Sequence, residues 1–99
     1  METLQQIARG YAESIKDGFG LSEVDQFDAV HEVIDGCAEV NYYHKAATLV
    51  YNMGVDELEA AEEEATECYT EGFYGYNDMN QKLAYFALVR ATLEALEEL

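Results

Sequence analysis

Seven glycines and no proline punctuate a chain whose apolar residues otherwise recur at helical spacing. Without proline, nothing breaks a helix decisively from within. The candidate boundaries are therefore Gly18 with Gly20, Gly36, Gly54, and Gly72 with Gly75, which cut the chain into helix-length pieces. In the first piece, Leu4, Ile7, Ala8, Tyr11 and Ile15 follow the i, i+3, i+4, i+7 pattern of one buried helical face. Asp17-Gly18-Phe19-Gly20 then supplies a stop. Gly10 lies inside this piece, where it either weakens the helix by about 1 kcal/mol relative to Ala or marks a close helix contact.

Ser22 opens the second piece as an N-cap, with Asp25 three residues on in a weak relative of the capping box. Val24, Phe27, Val30 or His31, and Ile34 continue the apolar face. The stretch from 22 to 52 reads as one helix or as two. The reading preferred is a break near Asp35-Gly36, followed by a helix carrying Val40, Tyr43, Ala47, Val50 and Met53 inward. Asn52-Met53-Gly54 should end it, with Gly54 in the left-handed C-cap conformation. Asp56 is expected to cap the next helix, which runs to about Thr70 with Leu58, Ala61, Ala65 and Cys68 inward. Residues 71–77 form an aromatic loop. Asp78 then caps a last helix with Leu83, Phe86, Val89 or Arg90, Leu93 and Leu96 along its core stripe. No alternating strand segment and no long repeat occurs. The expectation is an all-α fold, a compact bundle of four to five helices, in a single domain spanning residues 1–99.

The charge sets this chain apart. Twenty-one Asp and Glu stand against five Lys and Arg, a net charge of −16, while 49% hydrophobic residues still supply a core. Carboxylates in this number repel one another and weaken the compact state. Duplex DNA and anionic membranes would be repelled as well, so direct binding to nucleic acid or membrane is not expected. Between Lys45 and Lys82, residues 46 to 81 hold nine carboxylates (Asp56, Glu57, Glu59, Glu62, Glu63, Glu64, Glu67, Glu71 and Asp78) and no Lys or Arg. A helix N-terminus welcomes Asp56, Glu57 and Glu59 through its dipole, but that effect fades within a turn. Farther along, Glu59 with Glu63, Glu63 with Glu67, and Glu67 with Glu71 are like-charged i, i+4 pairs, each destabilising by ~0.2–0.5 kcal/mol. A surface selected for stability alone would have alternated the sign. Residues four apart on a helix lie roughly 6 Å from each other, of the same order as successive phosphates on one DNA strand.

The bias extends into the first half through Glu13, Asp17, Glu23, Asp25, Asp28, Glu32, Asp35 and Glu39. Four of the five cations have an acidic neighbour three or four positions away: Arg9 and Lys16 near Glu13, Lys82 near Asp78, Arg90 near Glu94. Tyr42-Tyr43, Tyr51, Tyr69 and the Phe73-Tyr74-Gly75-Tyr76 loop exceed what so small a core can bury, and Tyr beside carboxylates suits an interface. The partner-binding residues expected from these patterns are Glu57, Glu59, Glu62, Glu63, Glu64, Glu67, Glu71, Asp78, Tyr74 and Tyr76, with Asp28, Glu32, Asp35 and Glu39.

Catalysis finds no candidate residues. His31-Glu32 begins like a helical zinc motif, but position 35 is Asp35 and the second histidine is missing. His31, Cys37, His44 and Cys68 lack CxxC or HxxxH spacing, so no metal is expected. No EF-hand loop, phosphate-cradling glycine motif or Gly-x-Ser-x-Gly occurs, and no cofactor is expected. An acyl carrier would need a serine in an Asp-Ser-Leu setting, from which Gly20-Leu21-Ser22-Glu23 departs. No apolar run of about 18 residues spans a membrane. Met1-Glu2-Thr3-Leu4 lacks a signal peptide's basic start. These features read as a cytoplasmic chain whose Cys37 and Cys68 are reduced, half-buried thiols.

At His31-Glu32-Val33-Ile34-Asp35-Gly36, followed by Val40, Tyr43, Lys45-Ala46 and Leu49, the chain is similar to small acidic proteins encoded by phages and mobile elements. In those, a His-Glu-x-x-Asp-Gly segment accompanies a downstream Tyr-x-x-Lys-Ala-like stretch, matched loosely here by Tyr42-Tyr43-His44-Lys45-Ala46. This resemblance covers residues 28 to 50 or so and assigns no activity. Size and charge also resemble the functional class of DNA mimics, which includes anti-restriction and anti-CRISPR proteins. That class is united by surface rather than sequence, so it carries no residue over. What it implies is an inhibitor occupying the basic nucleic-acid-binding surface of a nuclease, defence complex or DNA-binding protein in a bacterial host. The rival is an acidic adaptor or antitoxin-like regulator docking a basic protein. The charge discourages self-association while the surplus aromatics offer a dimer seam, so the chain is read as a monomer or homodimer.

Overall fold

Seven consecutive residues, Leu83 to Val89, are buried, and everything else is arranged around them. The computed structural model describes residues 3–19, 23–67 and 78–99, without the side chains of 19, 23–26, 66 and 67. Its helices are α1 (Leu4–Phe19), α2 (Glu23–Asp35), α3 (Ala38–Asn41), α4 (Tyr43–Tyr51), α5 (Val55–Glu67) and α6 (Met79–Glu98). The architecture is all-α, as expected, with six helices among the described residues in place of four to five. Each of the other five packs against α6. A helix apolar nearly all round belongs at the centre of a bundle.

The inward stripe of α1 follows its sequence pattern: Leu4, Ala8 and Ile15 are buried together with Ala12, and Ile7 and Tyr11 pack against them. This helix runs in the same direction as α6. Leu4 shares a depression with Ala87 and Ala91, and Lys16 Nζ donates to the main-chain oxygen of Leu99. Lys16 is therefore engaged there rather than with Glu13. Gly10 marks no close contact, since a Cβ built on it meets nothing within 4 Å. Ser22, the expected cap of α2, lies outside the described residues.

The expected break near Asp35-Gly36 is present, and a second one makes three helices of residues 23–51. At the first break the N–H groups of Gly36 and Cys37 donate to the Val33 and Ile34 carbonyls (both 3.2 Å), tightening the last turn of α2. Asn41 Nδ2 donates to the carbonyls of Asp35 (2.7 Å) and Cys37 (2.9 Å), satisfying groups that the end of α2 exposes. The second break is Tyr42, in extended backbone (φ −91°, ψ 118°), which ends α3 and begins α4. It resets the helical phase. Ala46 and Leu49 are buried in α4, Ala47 and Val50 are half-buried, and Tyr43 is exposed.

Gly54 does not take the left-handed conformation expected of it. The last carbonyls of α4 are met instead by the Asn52 and Met53 N–H groups and by Asn52 Nδ2 on Thr48 (2.8 Å). The Gly54 carbonyl accepts from Leu58 N–H at 3.0 Å, so Asp56 sits within the first turn of α5 and is not its cap. Asp78 does cap α6, accepting from Gln81 N–H at 3.2 Å.

The expected stripe of α6 is in the core, since Leu83, Phe86, Val89 and Leu96 are buried and Leu93 packs against them, but a deeper row stands beside it. Tyr85, Leu88 and Thr92 are completely buried, with Ala84 beside them. The expected stripe of Leu83, Phe86, Val89 and Leu93 is a second apolar row, offset by about 100° and slightly less covered. Arg90 faces outward. Thr92 Oγ1 is buried with no hydrogen-bond partner, a state that costs stability. Thr92→Val should therefore stabilise the protein by about 1 kcal/mol, and the open space at Gly10 should let Gly10→Ala do the same by about 1 kcal/mol. Urea unfolding midpoints check both, and the effects should add because the sites are independent.

Candidate partner-binding surface

Helix α5 turns Ala61 and Ala65 toward α6 and carries Glu59, Glu62 and Glu63 on its exposed side. Glu59 and Glu63 thus form the like-charged i, i+4 pair read from the sequence. Glu57 and Glu64 lie nearer the core and have partners there. Gln5 Nε2 donates to Glu57 at 2.6 Å, tying α1 to α5. Arg90 meets Glu64 at 3.4 Å and Glu94 at 3.5 Å. On α2, Asp28, Glu32 and Asp35 are exposed. Asp78 is occupied in capping α6. The side chain of Glu67, and all of Glu71, Tyr74 and Tyr76, lie outside the described residues.

Glu39 belongs to an internal polar cluster rather than to the outer surface. Half-buried, it accepts from the Tyr11 hydroxyl at 2.8 and 3.0 Å. Burial, then the bond to Glu39, raises the Tyr11 pKa. Burial also pushes the thiol of Cys37 up. Cys37 is a free, buried cysteine that begins α3 beside this pair, whereas Cys68 lies outside the described residues.

Asp28 and Glu64 are brought to the same place by the fold. They line a groove of about 630 Å³ with Phe27, His31, Phe86, Val89, Arg90, Leu93, Glu94 and Glu97. The second apolar row of α6 makes its floor, with α2 on one side and α5 on the other. Sequence reasoning missed its principal apolar residue. Phe27, expected in the core, is 53% exposed, because α2 meets the core through Ala29, Val30 and Ile34 instead. Glu94 and Glu97 were also missed. Their signal was a final helix with more apolar residues than one face can bury, followed by carboxylates in step with Phe86 and Arg90.

His31 connects this groove to the centre of the bundle. Its ring lies 4.3 Å from that of Phe27, and its Nδ1 is 2.5 Å from the hydroxyl of fully buried Tyr85. Burial lowers the His31 pKa below 6.5, opposed by the charges of Asp28 and Asp35. Nδ1 and the Tyr85 hydroxyl share a hydrogen bond whose direction follows the tautomer of the ring.

The opposite character appears on α4 and the turns that flank it. Residues 40–55 contain no Asp or Glu, and Tyr42, Tyr43 and Tyr51 are exposed there. Among the described residues no three His, Cys, Asp or Glu side chains are grouped to hold a metal, and no helix is long and apolar enough to cross a membrane.

The depressed His31 pKa has a signed consequence. Below 6.5 the unfolded chain takes up a proton that the folded chain refuses, so the His31 contribution favours folding above 6.5 and declines as pH falls toward the folded-state pKa. The stability of wild type relative to His31→Gln should therefore decrease across that window, as measured by urea titrations at several pH values. No family model matches the chain, and no curated protein or solved structure matches it.

Proposed function

We propose that the chain is a DNA-mimic-type inhibitor, of the anti-restriction or anti-CRISPR kind, acting without catalysis in the cytoplasm of a bacterial host. It binds the basic nucleic-acid-binding surface of a defence complex, nuclease or DNA-binding protein. The observation that carries this reading is the exposed carboxylate row Glu59, Glu62 and Glu63 on α5, within a window that lacks any Lys or Arg. Asp28, Glu32 and Asp35 are likewise exposed, on α2. A partner's Lys/Arg groove built for phosphates meets the same sign of charge at similar spacing, giving fast association that salt weakens.

A second reading, an acidic adaptor or antitoxin-like regulator, draws support from the apolar groove beside Phe27. Phosphate mimicry requires no such feature. Both readings share a basic protein partner, and competition separates them: duplex DNA displaces the inhibitor from its target but leaves an adaptor complex intact.

Capture from a bacterial lysate at low salt should retain a basic protein that high salt releases. Against that isolated protein, the triple variant Glu59→Gln, Glu62→Gln, Glu63→Gln should bind about tenfold more weakly, the summed effect of three exposed ion pairs. Titration calorimetry measures it. Unchanged affinity, or binding indifferent to salt, would count against any role for this surface.

A further inference from the structure

We propose that the groove between α2 and α5 receives one amphipathic helix of a basic partner protein. The apolar side of that helix lies on Phe27, Val89 and Leu93, with its Lys and Arg side chains reaching Asp28 and Glu97, the two lining carboxylates outside the Arg90 ion pairs. This inference rests on the reading that the partner is basic, and adds how it docks. Charge complementarity identifies the occupant. The rim places four carboxylates around an apolar floor, and Arg90, the cation within it, is already engaged by Glu64 and Glu94. A nucleic acid would be repelled by this rim. A flat basic surface would leave the concave floor empty.

Shape agrees with a helix. From Phe86 to Glu97 the floor rises roughly 16 Å, about three helical turns. Helices seat apolar anchors spaced i, i+3, i+4 and i+7 into such grooves. Phe27 is 53% exposed, yet its ring is set against His31 at 4.3 Å, and His31 in turn meets buried Tyr85. A large apolar side chain held in place at the mouth of an acidic groove presents contact area at little ordering cost on binding.

Two labelled peptides of equal length and equal positive charge test the inference by fluorescence anisotropy. One carries Leu and Phe at i, i+3, i+4 and i+7, and the other carries Ser there. Wild type should bind the amphipathic peptide tighter by about tenfold or more, as expected from burying one aromatic anchor. Phe27→Ser should lose that preference while its affinity for the Ser peptide and its helical circular dichroism stay unchanged. Tyr51→Ser, outside the groove lining, should alter neither. Equal affinity for the two peptides, or a Phe27→Ser variant that keeps the preference, overturns the groove and leaves the acidic-surface reading standing. Binding of both peptides that ignores salt overturns the two together.

Discussion

Burial of α6 is the constraint on which the remaining structure depends. Leu83 to Val89 are covered around most of the helix, so each surrounding helix needs only one apolar face. Side chains such as Leu88 and Val89 contribute ~1.5–3 kcal/mol apiece when removed from water. The like-charged pairs of α5 cost only ~0.2–0.5 kcal/mol each. A central helix that supplies apolar surface in all directions can therefore carry acidic outer faces that a single-stripe bundle could not. Charge and core are linked in this way: outward faces can be acidic because the inward ones share one partner.

Much of this was legible where local chemistry decides. The inward face of α1, the positions of Val30 and Ile34, the Asp78 cap and the exposed acid of α5 all follow from spacing and charge. Tyr42 escaped because neither glycine nor proline marks it, and one extended residue there moved the buried positions to Ala46 and Leu49. In α6 the apolar residues are too many for one face, so the expected stripe is buried while the deeper row of Tyr85, Leu88 and Thr92 beside it went unread. Phe27 shares its spacing with Val30 and Ile34, yet it is left outside because α2 meets the core through Ala29, Val30 and Ile34. Contacts across the chain were beyond reach for the same reason. Glu57 with Gln5, Glu64 with Arg90 and Glu39 with Tyr11 are partners that only the assembled helices bring together.

Those long-range contacts divide the acidic residues by role. Glu57 ties α1 to α5, Glu64 ties α5 to α6, Glu39 holds Tyr11 near Cys37, and Asp78 starts α6. Each has a structural reason to be acidic, or at least to accept hydrogen bonds. Glu59, Glu62 and Glu63 stand exposed on the outward side of α5. The sequence pattern treated both sets alike as candidate contacts. Packing separates them by exposure: Glu57, Glu64, Glu39 and Asp78 are part-buried, whereas Glu59, Glu62 and Glu63 face solvent.

The placement of the cations sharpens that distinction. Arg9 is engaged by Glu13 on its own helix at 3.2 Å, Lys16 reaches the end of α6, and Arg90 lies between Glu64 and Glu94. A surface arranged for stability would set some of this positive charge along α5, where Glu59 and Glu63 repel one another. Solubility alone needs net charge, which any exposed carboxylates provide, and does not require that they be concentrated beside a concave apolar floor. The combination has a simpler physical use. In the proposed complex a basic partner would relieve the repulsion along α5 and across the groove rim, so tension in the free protein would become part of the driving force for association. The proposed contact with a basic surface would then draw on the same carboxylates that burial of α6 allows the free protein to tolerate.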